Sequence, residues 1–223
     1  MITVAILGGT GQQGRGLAQR FGRAGARVLV GSRDPERART AVAGWEAGAS
    51  IEVATYASAT ERSEVAVLAV PFHSIDATLE ELRPVFTPGM LVIDVTVPVT
   101  FSGGKMAMVE VAEGSASEHV RAMLPERVLV AGTFKTIPAR LLGEGESPLD
   151  CDEFVCGDSD ESRRRAIELV ELLPGLRAVD VGPLSRARSI EQLTLLAIAI
   201  NRRHKIHDAR FRIVGLESHN EVP

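Results

Sequence analysis

The residues with the clearest chemical purpose stand directly behind the first apolar run. Gly8-Gly9-Thr10-Gly11-Gln12-Gln13-Gly14 contains the spacing G-x-G-x-x-G as Gly9, Gly11 and Gly14. Gly9 permits the tight turn, Gly11 lets the backbone approach a pyrophosphate, and Gly14 lets the following helix pack closely on a sheet. The start of that helix then aims its unpaired N–H groups at the phosphates. Such a string is weak by itself, but here it separates a strand pattern, Ile2–Leu7, from a helix pattern, Gln12–Ala24.

The next strand pattern, Arg27–Val30, selects the dinucleotide. A carboxylate at its end would hydrogen-bond an adenosine ribose. The chain instead offers Gly31-Ser32-Arg33, with Arg37 one turn further on. A hydroxyl and two guanidinium groups suit a 2′-phosphate, so NADP(H) is the expected cofactor. The competing reading makes Arg33 and Arg37 solvated charges that pair with Asp34 or Glu36.

Ligands of open α/β sheets bind beyond the carboxyl ends of the strands. Those ends read Val70-Pro71-Phe72, then Asp94-Val95-Thr96-Val97-Pro98-Val99, then Gly132-Thr133-Phe134-Lys135-Thr136-Ile137-Pro138-Ala139. This rim of prolines and apolar groups suits flat rings better than proton transfer. Hydride passing between a nicotinamide and a flavin-like ring needs the rings stacked in a dry slot and no side-chain acid or base. No catalytic side chain is therefore expected, and Asp94 is read as a hydrogen-bonding residue at a strand end. The five histidines are scattered, so no metal site is expected.

These loops need a scaffold, and the pattern supplies one. Six strand patterns (Ile2–Leu7, Arg27–Val30, Ile51–Thr55, Val65–Val70, Leu91–Val95, Val128–Val130) alternate with helix patterns at Gln12–Ala24, Pro35–Ala43, Ile75–Leu82 and Ser115–Leu124. Alternation of this kind predicts a Rossmann-type, doubly wound parallel sheet in residues 1–142. Residues 143–223 read as a small C-terminal α/β appendage. It has extended pieces at Glu153–Cys156 and Arg177–Val181, a helix over Ser159–Leu172, and a long apolar helix from about Pro183 to Arg203. Ile190, Leu193, Ala197 and Ile200 form one stripe of that last helix, with more apolar residues filling Leu195–Ile200. A helix apolar nearly all round must close the cleft or meet a second copy, and a homodimer is expected.

Composition narrows the class. A hydrophobic fraction of 45% with only 4% aromatic residues calls for an aliphatic core. The net charge of −4 gives no field for nucleic acid or an anionic membrane. Cys151 and Cys156 lack redox or zinc spacing and read as reduced thiols. With no leader-like start and no long apolar run, the expected location is the cytoplasm.

Together the segments A-I-L-G-G-T-G-Q-Q-G-R-G-L-A, V-G-S-R, T-I-P-A at Thr136–Ala139, V-C-G-D at Val155–Asp158 and V-G-P-L-S-x-A-R-x-I-E-x-L-T at Val181–Thr194 resemble the NADPH-dependent coenzyme F420 reductases. The resemblance spans nearly the whole chain. It implies that Thr10, Gly11, Gln12 and Gln13 cradle the pyrophosphate and that Ser32, Arg33 and Arg37 hold the 2′-phosphate. Val70, Phe72 and Val97 would line the nicotinamide, and the backbone of Ala139 would meet its carboxamide. The deazaflavin, as co-substrate, would stack against Val97, Pro98 and Ile137, with Lys135, Thr136 and Pro138 beside it. Where the family commonly has histidine or asparagine this chain has Lys135, whose cation would pair with the deazaflavin's ring oxygens or phosphate. Alternatives remain at this level. They are an NADPH-dependent carbonyl or imine reductase with Lys135 as proton donor, a non-catalytic NADP(H)-sensing protein, and a flavin or metal-ion reductase.

Overall fold

A computed structural model describes residues 1–45, 51–102, 105–144 and 147–216. In chain order the elements are β1 (Thr3–Leu7), α1 (Gln12–Arg23), β2 (Arg27–Ser32), α2 (Pro35–Val42), β3 (Ile51–Thr55), α3 (Tyr56–Glu61), β4 (Val65–Leu68), α4 (Ile75–Leu82) and β5 (Leu91–Asp94). They continue with β6 (Val99–Ser102), β7 (Lys105–Met108), α5 (Ala116–Met123), β8 (Leu129–Gly132), α6 (Ala139–Gly143), β9 (Cys151–Gly157), α7 (Asp160–Glu171), β10 (Leu176–Pro183) and α8 (Ala187–His204).

Eight strands form one sheet in the order β10-β9-β8-β5-β4-β1-β2-β3. All neighbours are parallel except β8 and β9, where Ala131 faces Gly157 and Gly132 faces Cys156 in antiparallel register. The first six strands therefore have the doubly wound order whose switch point falls between β1 and β4. Both faces are covered by helices. Val4, Ile6, Val28 and Val30 point to one side, while Ala5, Leu7 and Leu29 point to the other, all enclosed. This explains why the strands read as unbroken aliphatic runs rather than alternating ones.

The sequence reading places most of these elements, misses the short helix α6, and needs correction elsewhere. The pieces expected as a separate appendage instead extend the same sheet as β9 and β10, and α7 packs into the same core through Ala166, Leu169 and Val170. The hairpin of β6 and β7 was not anticipated, nor was α3, whose cap is Thr55 accepting the Ser58 N–H at 3.2 Å. Both are too short to show a period. The last helix starts only at Ala187, after a 3-10 turn at Leu184–Arg186. Within one chain it is buried along one face only: Ile190 and Ala197 are enclosed, whereas Leu196 is 50% exposed.

The phosphate-side helix is fixed from far along the chain. A β-carbon at Gly16 would lie 2.5 Å from the Leu142 Cβ, so α1 rests directly on α6. Buried Arg20 donates from Nε to the Leu142 carbonyl (2.9 Å), from Nη2 to the Leu141 carbonyl (2.9 Å) and from Nη1 to the Ser147 carbonyl (3.1 Å). Those acceptors are carbonyls in the last turn of α6 and just beyond it, of which Leu141 also accepts the Glu144 N–H at 3.3 Å. Cys151 and Cys156 are buried free thiols.

Candidate active site

The loop between β1 and α1 is held by its own backbone. Gly8, at φ +82°, starts the turn, and the Gly9 and Gly11 N–H groups donate to the Ile6 and Gly8 carbonyls at 3.2 and 3.0 Å. A β-carbon on Gly14 would fall 2.6 Å from the Gly8 oxygen and 2.8 Å from the Gly9 Cα, so only glycine lets the helix come this close. Gly11 is different: a β-carbon there meets only the Gly8 oxygen at 3.3 Å and otherwise faces the cleft. Gly11 caps α1 without a side chain, leaving first-turn N–H groups for an anion. Gln13 is pinned by donating from Nε2 to the Phe134 carbonyl at 2.7 Å, which ties this loop to the end of β8.

A cavity of about 630 Å³ runs from Thr10 and Gly11 to Ser32, Arg33 and Arg37. Asp34 caps α2 by accepting the backbone N–H of Arg37 at 3.1 Å, and Glu36 pairs with Arg39. Among the described residues no carboxylate lies within ion-pair distance of the Arg33 or Arg37 guanidinium, and both side chains are exposed at the cavity. Tyr56 lines the same cavity as Arg33.

A second cavity of about 490 Å³ shares Gly11, Val70 and Pro71 with the first and continues inward. Phe72, Val97, Thr136, Ile137, Pro138 and Ala139 all line it, as expected of the rim. Val95, Thr96 and Lys135 also line it, and the far wall is α8, through Thr194, Ala197, Ile198 and Asn201, with Ala209 from the chain beyond. Asn201 Oδ1 accepts the Ala209 N–H at 2.9 Å, folding that segment back over the slot. These wall residues were not anticipated individually, although an apolar helix closing the cleft was.

One expected residue sits elsewhere, and another, Lys135, lines the slot without presenting its side chain to it. Pro98 is buried, accepts the Val109 N–H at 2.7 Å, and borders a separate cavity under the β6-β7 hairpin instead of the slot with Val97. The Lys135 side chain is fully enclosed behind the slot. Its ammonium donates to Asp94 Oδ2 at 2.7 Å, the Thr96 carbonyl at 2.5 Å and Glu191 Oε1 at 3.3 Å. The cause is the turn after β8: Phe134 adopts φ +54°, buried edge-on against Phe21 at 5.8 Å, which swings the next side chain inward. Burial pushes the Lys135 ammonium down, but Asp94 and Glu191 outweigh it and hold it above its ordinary value. Its ammonium is thus engaged by these partners and does not face the slot as the sequence reading expected.

The backbone of Lys135 and Thr136 is gripped by Glu153 of β9. Its Oε1 accepts the Lys135 N–H at 2.9 Å and its Oε2 accepts the Thr136 hydroxyl at 2.7 Å. Burial drives the Glu153 carboxyl up to about 7 despite those bonds. No group of three or more His, Cys, Asp or Glu among the described residues could hold a metal.

A doubly wound sheet with a glycine loop at its switch point, a cationic cavity on one side and an apolar slot on the other defines a Rossmann-type dinucleotide-binding oxidoreductase. The family model for "NADP oxidoreductase coenzyme F420-dependent" matches residues 3–98. An F420-dependent NADP reductase of Methanothermobacter thermautotrophicus is 38% identical over 97% of this chain and 96% of its own length, and that of Methanothermobacter marburgensis is 37% identical over 96% and 98%. A crystal structure from Arthrobacter sp. FB24, whose description names an F420-dependent NADP-reductase, superposes with a TM-score of 0.82 at 24% identity, covering 96% of this chain and all of that one. The chain belongs to the F420-dependent NADP reductase family.

Proposed function

We propose that this protein transfers hydride between NADP(H) and the deazaflavin coenzyme F420. The observation that carries this reading is the apolar slot opening from the glycine loop, whose only neighbouring cation, Lys135, is locked behind it among the described residues. Its volume of about 490 Å³ lies in the range of small-molecule sites and suits stacked rings. The dinucleotide supplies the hydride chemistry. The chain supplies placement: Thr10, Gly11, Gln12 and Gln13 at the pyrophosphate, Ser32, Arg33 and Arg37 at the 2′-phosphate. Val70, Phe72, Val97 and Ala139 flank the nicotinamide, and Thr136, Ile137 and Pro138 face the deazaflavin. The dinucleotide half falls within residues 1–142, and α8 with Ala209, from the expected 143–223 unit, completes the slot.

Anaerobic mixing of the protein with NADPH and purified coenzyme F420 should bleach the deazaflavin's visible absorbance. Absence of bleaching, or equal turnover with FMN, would sink the assignment.

We also read the protein as a cytoplasmic homodimer. Buried free thiols support the first part, and no described helix is long and apolar enough to cross a membrane. The exposed apolar residues Leu196 on α8 and Val109 after the hairpin support the second. Leu196→Glu should leave a folded chain that sediments as a monomer, and an unchanged dimer would remove α8 from the interface.

A further inference from the structure

Behind the slot lies a buried ionic cluster that hydride transfer does not use. Lys135 crosses beneath Gly132, where an added β-carbon would lie 3.2 Å from the lysine Cε and 2.6 Å from the Ser117 Oγ. Besides the lysine, Asp94 accepts the Thr96 N–H and hydroxyl through Oδ1, at 2.9 and 2.7 Å, and the Ser117 hydroxyl through Oδ2 at 2.7 Å. Glu191 enters from α8. Its Oε1 accepts the Ala116 N–H at the start of α5 at 3.1 Å as well as the lysine, while its Oε2 is enclosed without a hydrogen-bond partner. Three residues on, Thr194 of the slot wall donates its hydroxyl to the Lys135 carbonyl at 2.9 Å. Replacing such a cluster by well-packed apolar groups is often neutral or stabilising, so packing alone gives no reason to keep it.

We propose that Glu191 is a positioning residue. Through Lys135 and the start of α5 it seats α8 on the carboxyl edge of the sheet and so sets the width of the ring slot, a seating that loosens as Glu191 ionises. This rests on the slot being the acceptor site. Facing Glu191 are Asp94 from β5, Lys135 from the loop after β8, the Cys156 thiol of β9 and the first N–H groups of α5. Burial pushes the thiol up to about 11, which keeps it neutral. Burial likewise pushes the Glu191 carboxyl up to about 7, against the pull of Lys135 and with Asp94 adding to the rise. The seated helix therefore holds a proton on Glu191 that an unseated helix would release. Seating is strongest below the ordinary carboxylate range, weakens as pH climbs towards 7, and is level above it.

Glu191→Gln copies the protonated carboxyl, and Glu191→Ala removes the strut. With the alanine variant the KM for coenzyme F420 should rise roughly ten-fold while the NADPH Kd stays within about two-fold, since the phosphate end is untouched. The wild-type to Glu191→Gln ratio of that KM should climb from about one near pH 6 to several-fold near pH 8. A flat ratio, or an NADPH Kd that moves in step, overturns the proposal. Should a variant fail to fold, hydrogen exchange on the unmodified protein decides. Once corrected for intrinsic rates, protection of the α8 amides should fall further between pH 5 and pH 7.5 than that of the α1 amides. Equal behaviour of the two helices overturns the proposal. A wild-type protein that never bleaches the deazaflavin would refute the hydride reading instead, leaving the exchange result to judge the seating of α8.

Discussion

At its adenosine end the cleft is open and built of backbone: glycine turns, helix-start N–H groups and two exposed arginines without carboxylate partners among the described residues. At its ring end it is closed and built of buried side chains: a lysine, three carboxylates and the flank of α8, all behind an apolar lining. The first end leaves its N–H groups and cations open, as the proposed phosphate site requires. The second works by satisfying its charges internally, so that the lining stays dry and uncharged. Affinity and ring geometry are thus handled by separate parts, and each should be breakable without the other.

The largest effect should come from Gly14→Val. Its side chain would strike backbone at 2.6 and 2.8 Å, which no rotamer can relieve. We expect NADPH binding to vanish and the protein to lose on the order of 3 kcal/mol of stability, measured by isothermal titration and urea unfolding. Gly11→Val should likewise abolish binding yet keep near-normal stability, because its side chain points into the cleft. Equal destabilisation by the two variants would blur the distinction between a packing glycine and a ligand-facing one.

Next is Arg33→Ala. Loss of one charge-assisted phosphate contact costs about 1.5–3 kcal/mol, so NADPH affinity should drop roughly ten- to a hundred-fold while NADH affinity barely changes. Equal losses for both cofactors would remove the 2′-phosphate from this end.

The smallest effect concerns pH. Burial raises Glu153 and Glu191 to about 7 from an ordinary 4.5, so the folded state binds protons that the unfolded chain has released. Their contribution is full below pH 4.5, declines as pH rises, and is gone above about 7. Glu153→Gln should flatten part of that decline in urea unfolding between pH 5 and 7.5. A decline of unchanged steepness would show that Glu153 does not titrate there.

The same contrast explains how far the sequence could be read. The phosphate end follows from local rules. Glycine spacing, a strand before and a helix after, and Ser32-Arg33 at the end of β2 are all adjacent in the chain. The ring end depends on contacts between residues far apart in sequence. The inward turn of Lys135 follows from the left-handed backbone at Phe134, a conformation that a phenylalanine does not advertise. Glu191 stood in a recognisable segment, but its partners Asp94 and Lys135 come from distant strands. Pro98 failed for a similar reason: its neighbour Val97 faces the slot, and the start of an unforeseen hairpin turns the next residue away. The sheet's extension by β9 was hidden because antiparallel pairing breaks the βαβ rhythm by which the first six strands were recognised.

The grip of Arg20 on the carbonyls of Leu141, Leu142 and Ser147 has a consequence for how the protein is made. Synthesis delivers the whole glycine loop early, yet the helix behind it carries a buried guanidinium whose acceptors arrive more than a hundred residues later. The pin from Gln13 to the Phe134 carbonyl is missing until then as well. A nascent chain that has emerged only through the first five strands of the sheet thus holds the phosphate signature without the means to lock it. An N-terminal fragment ending after β5 is therefore expected to bind NADPH more weakly than the whole chain, and a titration of that fragment would check it.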